Sequence, residues 1–133
     1  MRRLHDRGDR RDGGSAAVEF ALMLPLVLLV TLALVQTGLL VRDRLLVEAA
    51  ARAGARAAAI QDDGVAIRDA TVAAAPGLDA SGLEIAVSRA GVRGDPVTVS
   101  VRYAASVRVP LVSWLFGGSV GMSSATTARQ EFG

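Results

Sequence analysis

The chain is 133 residues long, 51% hydrophobic and 21% charged, which leaves room for one small domain and one apolar segment and excludes a multidomain enzyme. Aromatic residues make up only 4%, so the apolar share rests on Ala, Val and Leu, a poor supply for a large soluble core and a good one for a long helix at a membrane. The pI near 10.3 accompanies a formal charge of only +2, because all 15 basic residues are Arg; with no Lys to titrate near pH 10, a small Arg excess lifts the pI without implying a nucleic-acid surface. Cysteine is absent, which excludes disulfide frameworks, thiolate zinc sites, Cys nucleophiles and lipid-modified Cys.

Residues 1–14, MRRLHDRGDRRDGG, carry five Arg, three Asp and three Gly and no apolar periodicity, the pattern of a disordered cytoplasmic tail. From Ala21 to Val41 no residue ionises. Those residues make about 32 Å of helix, enough to cross a hydrocarbon core, and a membrane span over about 19–41 is expected. A buried core helix of this length would need more protein around it than the chain supplies. A secretory signal peptide would be shorter and would end in small residues, whereas this segment runs into Arg42, Asp43 and Arg44. Charge leans only slightly toward a cytoplasmic N-terminus, because Arg42, Arg44, Arg52 and Arg56 follow the span closely, but a short tail is easily left inside.

Helix signals continue to about Ile60, where Gln61-Asp62-Asp63-Gly64 supplies stop and cap chemistry, giving one helix over 15–60. Arg44, Glu48, Arg52 and Arg56 share one stripe, which reads first as a solvated face and second as a docking surface. Leu46, Ala49, Ala50, Ala53 and Ala57 form an opposing small-residue face. Asp63 is placed to cap a short helix over Val65–Ala75, stopped by Pro76-Gly77. The period then changes to two: Leu83, Ile85 and Val87, then, after a turn over Gly91–Pro96, Val97, Val99, Val101 and Tyr103, with the parity continuing through Val107 and Val109 to Pro110. A third strand is expected from Ser119 to Arg129 with Val120 and Met122 inward, and LVSWLF between them as an apolar loop in which Trp114 and Phe116 serve as core or membrane-surface anchors. The fold class is α+β: a long N-terminal membrane-spanning helix, a short helix and an antiparallel sheet of about three strands. Residues 61–133 form the small extracytoplasmic domain, with the upper half of the long helix covering the sheet.

Gly117-Gly118-Ser119-Val120-Gly121 matches the G-x-S-x-G pattern of a hydrolase elbow, but an elbow needs a strand-to-helix turn and a nearby His base, and the only His is His5, in the tail across the membrane. No phosphate loop, metal cluster or paired-carboxylate constellation is present in the sequence. No enzyme activity, no small-molecule substrate, no cofactor and no metal are expected. The anomaly is Glu19, between Val18 and Phe20 at the mouth of the apolar run. A carboxylate within a span costs about 2.5 to 3.5 kcal/mol on insertion scales, so it calls for a cation or for headgroup water. Pro25 removes an amide hydrogen and crowds the Ala21 carbonyl, which bends the helix.

Glu19 is the fifth residue after Gly14, which closes the Arg-rich tail, and this arrangement resembles a type IV prepilin signal. GSAAVEFALMLPLVLL, with Gly14, Ala17-Val18-Glu19-Phe20-Ala21 and Pro25, is similar to the TadE family, pseudopilins or minor pilins of the tight-adherence (Flp) pilus machinery. The resemblance implies processing by a prepilin peptidase between Gly14 and Ser15, subunit recognition through Glu19 and Phe20, and a helix kink at Pro25. It implies as partners the peptidase, other pilin and pseudopilin subunits, a membrane assembly platform and the lipid bilayer. In such a system the Ser15 ammonium of one subunit and Glu19 of its neighbour neutralise each other when the helices pack out of register, since on one helix they lie about 6 Å apart axially. The location implied is the cytoplasmic membrane, single-pass, with the N-terminus cytoplasmic and the C-terminal domain outside. The alternative is an unprocessed membrane-anchored extracytoplasmic binding module.

Overall fold

A computed structural model of the chain describes residues 9–107 and 118–132. The first element, α1, is a helix over Asp9–Ile60, 52 residues long with Pro25 inside it. It starts within the segment expected to be disordered tail: once the apolar run forms a helix, each residue added backwards gains one backbone hydrogen bond without a new nucleation step, so the helix extends through Gly14 to Asp9. At the other end it stops at Ile60 as expected.

The second helix, α2, covers Gly64–Ala73. Asp63 caps it, accepting from the Val65 amide at 2.9 Å, while the Asp63 carbonyl takes the Ile67 amide at 3.0 Å. The chain then returns through Pro76-Gly77, with Gly77 at φ +91°, and a short 3-10 turn over Ala80–Gly82. Three strands follow, β1 over Leu83–Arg89, β2 over Pro96–Ser106 and β3 over Ser119–Arg129. They pair antiparallel in the order β1-β2-β3, with Ile85 opposite Val101 and Val101 opposite Ser124. Strand β2 ends at Ser106, before the expected limit; Val109, Pro110, Trp114, Phe116 and Gly117 lie outside the described residues.

The period-two pattern puts one row of β2 inward. Val97, Val99, Val101 and Ala105 are fully buried and Tyr103 nearly so. Val120 and Met122 of β3 face the same side, with Met122 buried, as expected from their parity. The upper half of α1 lies over β2 and β3, and α2 packs beside it. The fully buried positions of α1 are Val47, Ala50, Ala51 and Ala58, with Ala55 and Ala57 close behind. Of the expected Leu46, Ala49, Ala50, Ala53 and Ala57 face, Ala50 and Ala57 are buried and the other three half-buried; the buried arc is wider, taking in Val47, Ala51 and Ala58, because α1 rests on a sheet and on α2 at once. Small side chains let the layers close. A Cβ added at Gly54 would lie 2.5 Å from Thr71 Oγ1 and 3.0 Å from Val99 Cγ1, so α1, α2 and β2 converge on that glycine.

Candidate functional site

From Gly14 to Thr31 every side chain of α1 is exposed, a stretch of about 27 Å at the rise of an α-helix. The helix from Gly14 to Ile60 contains an 18-residue window of mean hydropathy 2.5 with none of it buried, so by length and composition it is able to cross a membrane. Burial then sets in on one side: Leu32, Ala33, Gln36, Leu40, Asp43 and Val47 follow one another at intervals of one, three or four residues. The freely exposed helix is therefore 14–31, and residues 32–41 of the expected span already present a covered face.

The side chains singled out in the sequence all lie on this exposed stretch. Gly14 and Ser15 are helical and open, with nothing within 4 Å of a Cβ added at Gly14. Phe20 is 69% exposed. Glu19 is exposed and makes no hydrogen bond or ion pair among the described residues. The structure thus puts the candidate carboxylate, its aromatic neighbour and the glycine on one helix without uniting them into a site within one chain. Polar groups higher in the helix are self-contained. Thr31 Oγ1 donates to the Val27 carbonyl and Thr37 Oγ1 to the Ala33 carbonyl, both at 2.8 Å, so neither hydroxyl is left without an acceptor. Pro25 has no N–H to offer the Ala21 carbonyl, which leaves an acceptor open in the same exposed stretch.

Two arginines fix the domain onto the helix. Arg42 Nη1 lies 3.2 Å from Oδ1 of Asp43, itself buried, and Arg42 Nη2 donates to the Pro76 carbonyl at 3.3 Å beneath Gly77. At the far end Arg89, the last residue of β1, donates to the Ala58 and Gln61 carbonyls at 2.8 and 3.1 Å, pairs with Asp62 at 3.0 Å and lies 5.2 Å from the Phe132 ring centroid. The Glu131 amide donates to the Ala59 carbonyl at 2.7 Å. Orphan carbonyls and the negative end of the helix dipole are thereby satisfied by a strand end and the C-terminal segment. Sequence reasoning missed Arg89, because its partners lie about thirty positions back and no local spacing signals them.

Between these anchors runs the charged stripe. Glu48 Oε1 is 3.1 Å from Arg44 Nε and Glu48 Oε2 is 3.8 Å from Arg52 Nη1, with both guanidinium groups mostly in solvent. Asp79, before the 3-10 turn, is held below the ordinary carboxylate value of 3.8 by hydrogen bonds from the Ser81 hydroxyl and the Ser81 amide. Ser119 of the G-x-S-x-G pattern opens β3 at the end of a strand connection and not on a strand-to-helix turn, so the elbow geometry is missing there. His5, the only His in the sequence, lies outside the described residues.

No curated protein matches the chain, and no solved structure does. Residues 14–56, which hold Gly14, Glu19, Pro25 and the Arg44 to Arg56 stripe, match the family model of TadE-like protein; over that segment the chain is similar to this family, and its exposed apolar helix is long enough to cross a membrane.

Proposed function

We propose that this protein is a pseudopilin or minor pilin of a tight-adherence pilus, inserted in the cytoplasmic membrane with its N-terminus inside and its C-terminal domain outside. A prepilin peptidase cuts between Gly14 and Ser15, and the mature subunit enters assembly through its helix without performing catalysis. Other pilin and pseudopilin subunits and a membrane assembly platform are its partners. The observation that carries this reading is Glu19, exposed and without a partner among the described residues, at the start of an apolar helix whose side chains are open from Gly14 to Thr31.

Such a carboxylate has a cost on insertion and no partner among the described residues of its own chain. The ammonium created at Ser15 supplies the missing cation, and it does so across subunits, because a backbone amine at the helix start and a side chain four residues on are about 6 Å apart axially. In the apolar layer the pair is favourable only when both members are present, since one left alone retains its desolvation penalty. Neutralisation therefore coincides with one axial offset between neighbours. Gly13 and Gly14 lower the cost of unwinding the helix locally, by about 1 kcal/mol each relative to Ala, which suits a peptidase that needs extended backbone.

Glu19→Ala tests the reading. The variant is expected to insert at least as well as the native chain and to be processed, while surface fibres or their assembly intermediates disappear. Fibres at native level from Glu19→Ala would overturn it and leave the protein as an anchored binding module.

A further inference from the structure

The upper half of α1 carries a second set of charges with the same spacing and the same direction as the first. Arg44, Glu48, Arg52 and Arg56 recur every fourth residue, and Ser15 and Glu19 are four apart as well. Arg44 and Arg52 side chains are 51% and 62% exposed, and Glu48 between them is 33% exposed. With 3.6 residues per turn, Arg44 and Glu48 fall within about 20° of Glu19 around the axis of this continuous helix, and Arg52 within about 60°. Glu19, without a partner among the described residues, thus shares a face with Arg44 and Glu48, and the stripe turns away from it to about 100° at Arg56.

We propose that this face docks a second copy of this chain, parallel to the first and displaced by four residues along the helix, so that Glu48 meets the second copy's Arg44 and Arg52 meets the second copy's Glu48. The inference rests on the Glu19 and Ser15 pairing proposed above, because that pairing requires the same displacement of about 6 Å. Both copies cross one membrane in one direction, so their helices run parallel. At zero displacement the stripe would set Arg against Arg three times and Glu against Glu once. At four residues it makes two opposite-charge contacts and one like contact, Arg56 with the second copy's Arg52. At eight it makes one of each. Exposed pairs are individually weak and screened by salt, so the stripe selects the register and does not supply the adhesion.

The native chain has no cysteine, which makes the register directly readable by cross-linking. Val41 and Leu45 flank the stripe and are 55% and 57% exposed; Met23 and Val27, 60% and 59% exposed, lie eighteen residues below them, five full turns at 3.6 residues per turn. Two differently tagged full-length copies, one Val41→Cys and the other Leu45→Cys, are expressed together with the assembly system and oxidised with copper phenanthroline; a second experiment pairs Met23→Cys with Val27→Cys. Mixed 41-to-45 and 23-to-27 dimers are expected to exceed the symmetric ones. Adding Glu48→Arg to both copies lowers the 41-to-45 product about tenfold and leaves 23-to-27 unchanged, and the triple reversal Arg44→Glu, Glu48→Arg, Arg52→Glu restores it. If 23-to-27 forms while 41-to-45 is no better than the symmetric dimers or ignores Glu48→Arg, the stripe has no such role and the Glu19 register stands. If neither mixed dimer forms, the Glu19 register falls with it. Cross-links only to a different subunit would overturn the second copy as partner.

Discussion

Arg89 closes the C-terminal end of α1 with two carbonyl contacts and one carboxylate, so its loss strips acceptors that no neighbouring side chain replaces. Arg89→Met is expected to lower stability by about 1–3 kcal/mol, read as a shift in denaturant midpoint of the full chain in detergent micelles. Gly54→Ala is expected to cost a similar amount, about 1–3 kcal/mol, for the opposite reason, because the added methyl overlaps Thr71 and Val99 at the meeting point of three elements. Asp79 yields a pH prediction. Its carboxyl is held low in the folded chain, by the Ser81 hydroxyl first and the Ser81 amide second, so it favours the folded turn above pH 3.8 and that contribution is lost as pH falls through its lowered value. The Ser81 amide resonance is expected to shift below pH 4 and not between pH 5 and 8. At this scale the sequence was legible wherever the partner was near: Asp63 announces its cap two residues ahead of the Val65 amide it receives. Arg89 and Gly54 were not legible, since their roles depend on residues brought from 17 to 45 positions away.

The long helix and the strands display two kinds of legibility. Alternation over Leu83–Val87 and again over Val97–Tyr103 marked which side chains point inward, and β2 and β3 form with that parity, whereas Val87, at the end of edge strand β1, stays exposed. A strand has only two faces, so one buried residue settles the rest. A helix has a continuum of directions. The direction of α1 is set by α2 as well as the sheet, which is why its buried arc adds Val47, Ala51 and Ala58 to the expected Ala50 and Ala57 while Leu46 stays half-buried. Its N-terminal limit was missed for a related reason: composition marks 9–14 as solvated, whereas propagation from the apolar run carries them into the helix. Pro25 is the weak point of this element. Pro25→Ala restores a donor to the Ala21 carbonyl, and amide exchange of residues 22–26 in micelles is expected to slow markedly. Unchanged exchange there would mean that the native helix had already satisfied that carbonyl in another way.

In the whole molecule, a domain held between Arg42 and Arg89 grips about 27 Å of helix above an equally long exposed stretch, which leaves the apolar half free to meet other helices. The proposed assembly chemistry resides on α1: Gly14 and Ser15 where the chain is cut, Glu19 where the new ammonium is received, and the stripe from Arg44 to Arg56 above. The central claim is that cleavage creates the charge that Glu19 requires. Intact-mass measurement of the protein extracted from membranes of cells that hold the peptidase tests it most directly. A mature chain beginning at Ser15, and an uncut chain once Gly14 is replaced by a bulky residue, is the predicted result. A native chain that still begins at Met1 while fibres assemble normally would contradict it.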